Sequence, residues 1–109
     1  MSKYNFKVNI RPEEALKLVK ENQYAELIHE EILDLGNGSI VGILVFEKYY
    51  FRAGNRAALT VIIDNIQEET EVRSVATGSS QGLFFKFDWG AADDFACSVR
   101  DVLEEYIID

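Results

Sequence analysis

Residues 39–52 read Ser39-Ile40-Val41-Gly42-Ile43-Leu44-Val45-Phe46-Glu47-Lys48-Tyr49-Tyr50-Phe51-Arg52. Successive side chains of a strand point to opposite faces. Val41, Ile43 and Val45 therefore fall on one side, and Ile40, Leu44 and Phe46 on the other. A strand that is apolar on both faces needs cover on both. Helices can supply one cover, and a partner subunit or a loop the other. Glu47, Lys48 and Arg52 admit solvent only toward the end.

Working outward, Lys3 to Ile10 alternates, with Tyr4, Phe6, Val8 and Ile10 opposite lysines and asparagines. That pattern is a strand with one wet face. Arg11-Pro12-Glu13-Glu14 opens a helix, since proline and acids suit a first turn. Apolar spacing near three and four continues from Ala15 through Ile32, interrupted at Glu21-Asn22-Gln23, so one helix or two short ones are expected. Gly36-Asn37-Gly38 reads as the stop.

After the 39–52 strand and the turn Ala53-Gly54-Asn55-Arg56, strands are expected over 57–64 and 71–77, joined by the polar stretch Asn65 to Thr70. Gly78-Ser79-Ser80-Gln81-Gly82 is a turn before Leu83-Phe84-Phe85-Lys86-Phe87. A last helix fits Ala91 to Ile107, with Phe95, Val99, Val102 and Tyr106 as its stripe. The expected fold is one α+β domain over residues 1–109. It has two layers, a mainly antiparallel sheet of about five strands, an N-terminal helical segment and a C-terminal helix.

At 109 residues, 48% of them apolar, the chain can bury roughly two-thirds of its extended surface. A net charge of −8 opposes nucleic acid and anionic membranes as partners. The longest uncharged run, Gly36 to Phe46, is too short to span a bilayer. No signal peptide is read at the start, and one cysteine suits a reducing compartment; cytoplasm is the expectation.

No motif assigns a catalytic residue, a metal or a cofactor. His29 and Cys97 are the lone histidine and cysteine, and spacing does not pair them. Neither a calcium loop nor a phosphate-binding loop is present. Arg52, Asn55 and Arg56 with Gly78, Ser79, Ser80, Gln81 and Gly82 could cup an anionic ligand, because arginines and serial backbone donors suit carboxylate or phosphate. Aromatics on both faces of 47–52 and 83–89 make Tyr49, Phe51, Phe84 and Trp89 candidate interface residues.

Glu47-Lys48-Tyr49-Tyr50, Gly54-Asn55-Arg56 and the stretch from Gly78 to Lys86 resemble a family of small bacterial proteins, mainly Gram-positive, known only as a domain of unknown function. The resemblance implies a bacterial cytoplasmic protein and transfers no activity. The first functional reading is a non-enzymatic structural or regulatory module that self-associates as a dimer or binds a protein through an aromatic sheet face. The alternative is a module for an anionic or apolar metabolite, and a small enzyme using His29 or Cys97 comes third.

Overall fold

The apolar run that begins at Ser39 forms the second strand of a six-stranded sheet, in a computed structural model that describes residues 2–50, 55–78 and 89–108. The elements are β1 (Ser2–Val8), α1 (Pro12–Asn22), β2 (Glu26–Gly36), β3 (Ser39–Tyr50), β4 (Asn55–Asp64), β5 (Thr70–Gly78), α2 (Trp89–Val102), a 3₁₀ turn (Glu104–Tyr106) and β6 (Ile107–Ile108). The sheet order is β2-β3-β4-β5-β1-β6, antiparallel at every pairing. This is the expected α+β fold with a C-terminal helix.

Both helices lie on one face. Leu44 and Phe46 of β3, Leu59, Val61 and Ile63 of β4, and Val72 and Ala76 of β5 are buried there beneath Leu16 and Val19 of α1 and Phe95 and Val99 of α2. Two contacts seat the helices. A Cβ built on Gly42 would lie 2.9 Å from Leu16 Cγ and collide with its methyls, so α1 rests directly on the β3 backbone. The buried Ser74 hydroxyl of β5 donates to the Ala96 carbonyl of α2 at 2.9 Å. Among the described residues no helix is long and apolar enough to cross a membrane.

Three elements correct the sequence reading. Residues 26–36 form strand β2, paired with β3 from Glu26↔Glu47 to Gly36↔Ser39, and are not a second helix. Their apolar residues sit on both faces, so the two-residue period is blurred and a helical spacing appears in its place. Gly36-Asn37-Gly38 is the hairpin between β2 and β3, with φ of 88°, 55° and 85°. Positive φ at both Asn37 and Gly38 is the geometry of a type I′ two-residue loop.

The last helix ends at Val102, short of the expected Ile107; Ile107 and Ile108 pair with Val8 and Lys7 of β1. Among the described residues the sheet has six strands, close to the five expected. The expected strand at 83–87 lies outside the described residues. The first strand, whose place the sequence left open, joins β5 through Ser2↔Ala76 to Val8↔Thr70.

Replacing Gly42 with valine should destabilise the fold by about 1–3 kcal/mol, the usual cost of overpacking. Urea unfolding followed by circular dichroism measures it. An unchanged midpoint would mean that α1 does not sit where described.

Candidate functional site

Opposite the helices the sheet presents an aliphatic face. The ladder register aligns Leu33, Val41 and Asp64 in one row, Ile43 and Ile62 in the next, and Val45, Thr60 and Val75 in a third. Val41, Ile43, Val45, Ile62 and Val75 are half-buried. Neither α1 nor α2 covers them, because both helices bury the other face. Tyr49, half-exposed, extends the face along β3 beside Arg56 of β4.

The polar groups of this face answer one another. Arg73 bridges Asp64 at 2.8 Å and Glu71 at 3.0 Å. Asp64 is only 5% exposed, and its other oxygen accepts from the Ile66 backbone at 3.1 Å, so its carboxylate is fully engaged. Arg56 donates to Glu47 at 2.7 Å. Among the described residues, by register the face holds Glu26, Glu31, Glu47, Asp64 and Glu71 against Lys3, Lys7, Arg56 and Arg73, a balance of −1 in a chain of −8. No spacing in the sequence announces the Asp64–Arg73 pair; only the β4–β5 register brings it together.

Of the interface candidates, Tyr49 lies on this face and Trp89 opens α2. Phe51 and Phe84 lie outside the described residues. Of the ligand candidates, Asn55 and Arg56 begin β4 opposite Tyr50 and Tyr49, and Gly78 ends β5 opposite Ala57. Arg56 and Gly78 therefore share one end of the sheet, with Arg56 already tied to Glu47. Arg52, Ser79, Ser80, Gln81 and Gly82 lie outside the described residues.

A depression of about 300 Å³ lies at the other end, lined by Ile10, Arg11, Pro12, Asn65, Glu68 and Glu69 among others. Arg11 is bound to Glu13 at 3.2 Å, Glu69 to Lys7 at 3.3 Å, and Pro12 brings no N–H to the helix start. The groove is thus poorly equipped for an anion.

His29 and Cys97 are not brought together. His29 stands on β2 on the open face, 3.3 Å from Glu31, whereas Cys97 lies in the helix layer beside Tyr4 of β1. β2 and β1 are separated by four strand steps, roughly 19 Å at the usual spacing. His29 also sits on a strand, not in the helical register expected for it.

Burial pushes the Cys97 thiol up; the Tyr4 hydroxyl offsets part of this, and the carboxylates of Asp101 and Asp93 add to it. Tyr4 donates to Asp93 at 2.7 Å, which raises the phenol far above its ordinary value. A thiol held protonated is a poor nucleophile. Among the described residues no group of three or more histidine, cysteine, aspartate or glutamate side chains is placed to hold a metal ion.

An antiparallel sheet backed by helices on one side, with an aliphatic, charge-balanced face on the other, defines a two-layer α+β protein. Within that class the chain belongs to a family of unknown function, DUF6054, whose model matches residues 1–107. The search of curated proteins and the search of solved structures each returned no match.

At pH 8 Cys97 should alkylate with iodoacetamide more slowly than a small free thiol, as followed by mass spectrometry. Equal or faster labelling would contradict the protonated, shielded thiol.

Proposed function

We propose that this protein is a non-enzymatic interaction module that self-associates through the sheet face opposite its helices. One observation carries the reading: α1 and α2 both pack on one side, so that neither of them lies over Val41, Ile43, Val45, Ile62 and Val75. Fully removing a valine or isoleucine side chain from water is worth roughly 1.5–3 kcal/mol, and these half-buried residues retain part of that gain for an interface.

Charge supports a second copy as the occupant. A chain of −8 repels its own kind at long range. This face carries almost none of that excess, because Glu47 is answered by Arg56, and Asp64 and Glu71 by Arg73. Two copies meeting here bring their aliphatic rows together and keep the excess acids outside. The surface is then less an aromatic face than an aliphatic one with Tyr49 at its end. The cytoplasmic setting read from the sequence belongs to this same proposal, with the free Cys97 as its support, and the bacterial setting rests on the resemblance alone.

Light scattering coupled to size-exclusion chromatography should report a particle near 25 kDa, twice the 12.4 kDa chain. Ile43→Lys should reduce it to a monomer with an unchanged far-ultraviolet spectrum. A wild-type protein that stays monomeric at high micromolar concentration would overturn the proposal.

A further inference from the structure

The two lateral edges of the sheet are built differently. At one edge β6 pairs only with Lys7 and Val8, and β1 carries Lys3 and Lys7, the kind of charge that discourages edge pairing. At the other, β2 offers eleven residues, every one exposed. Ile28, Ile32 and Leu35 are 52%, 51% and 56% exposed, and the strand has no lysine, arginine or proline. Its pairing with β3 uses one side of its backbone, and among the described residues no strand pairs with the other. An exposed edge of this kind is a template for strand addition.

The charges of β2 say what kind of strand fits. Glu26, Glu30, Glu31 and Asp34 lie along it; Lys20 offsets Glu30 at 2.7 Å, and His29 stands 3.3 Å from Glu31. By register, Glu30, Ile32 and Asp34 share the helix side with Leu44, Gly42 and Ile40, and His29, Glu31 and Leu33 share the open side. Each face therefore mixes acid with aliphatic.

Opposite residues of an antiparallel pair share a face, and like charges placed opposite destabilise it. Pairing β2 with itself about Glu30 or Glu31 sets that residue against its own copy. Centring on Ile32 sets Glu30 against Asp34. Pairings centred on His29 or Leu33 escape, but each engages only seven residues of the strand, 26–32 or 30–36.

We infer that the β2 edge receives an extended basic segment of another protein, one that alternates lysine or arginine with aliphatic residues. Its cations, all on one face, meet Glu26 and Glu31 on the open side; its aliphatic side chains, all on the other, cover Ile32 on the helix side; and its backbone completes the open hydrogen-bonding side of β2. This edge borders the self-association face and shares Glu26, Glu31 and Leu33 with it, so peptide binding and oligomeric state are read separately.

The test uses the full chain at 0.15 M salt, where long-range attraction is screened beyond about 8 Å. Three capped eight-residue peptides serve as probes: a Lys–Val repeat, the same repeat N-methylated at alternate residues, and a Glu–Val repeat. Fluorescence anisotropy reads affinity, and amide hydrogen exchange reads location.

The Lys–Val peptide should bind and slow exchange within residues 26–36. N-methylation, which keeps the charge but blocks one hydrogen-bonding edge, should weaken binding at least tenfold. So should the exposed double substitution Glu26→Lys with Glu31→Lys, and the Glu–Val peptide should not bind. Absent binding, equal binding of the N-methylated peptide, unchanged affinity in the double variant, or protection elsewhere would each overturn the inference. Peptide binding lost with the dimer intact removes this proposal alone, whereas a monomer that binds the peptide at β2 removes only the self-association reading.

Discussion

Leu16 seated on Gly42 is the contact on which the architecture turns. It brings α1 to van der Waals distance of the β3 backbone, and Ser74 performs the parallel task for α2 through Ala96. With both helices committed to one side, the core closes around Leu44, Phe46, Leu59 and Val61. The same commitment leaves the opposite face of β3 and β4 to other means. The one-sided layering and the aliphatic outer face are a single physical fact. A glycine at position 42 permits the first, and the double-faced apolar pattern of β3 creates the second.

Much of this was legible because the deciding strands are regular. Val41, Ile43 and Val45 separate from Leu44 and Phe46 by parity alone, and Ala57, Leu59, Val61 and Ile63 do so again in β4. Those positions proved to be the outer and buried faces. β2 was misread for a corresponding reason. Leu27, Ile28, Ile32, Leu33 and Leu35 fall on both faces of a strand with a register shift between Leu27 and His29, so parity fails and a helical spacing takes its place. The asparagine–glycine pair at 37–38, between two apolar runs, was the available signal for a hairpin. The end of α2 was misjudged because the stripe through Tyr106 outlasts the helix, continuing through a 3₁₀ turn into β6.

The candidate site was legible only in part. Sequence could mark the outer aliphatic residues but not their charge environment, which arises from pairs far apart along the chain or set by register. Asp64 with Arg73 and Arg56 with Glu47 neutralise a face that composition alone would make strongly acidic. Sequence also could not say that His29 and Cys97 lie at opposite ends of the sheet. That separation removes a direct histidine–cysteine couple. The lateral edge at β2 was hidden entirely while its residues were read as helix. Its exposure follows from α1 resting over β3 and β4 rather than reaching the end of the sheet.

The central claim is that the face opposite α1 and α2 stays partly open to water in a single copy and is covered by a second. Attenuation of methyl resonances by a soluble paramagnetic probe, followed against protein concentration, measures this directly. The account predicts that Val41, Ile43 and Ile62 methyls are strongly attenuated in dilute protein and become shielded as concentration rises, while Leu44 and Val61 stay shielded throughout. Outer methyls as protected as Leu44 at every concentration, in a particle that remains one chain, would contradict it.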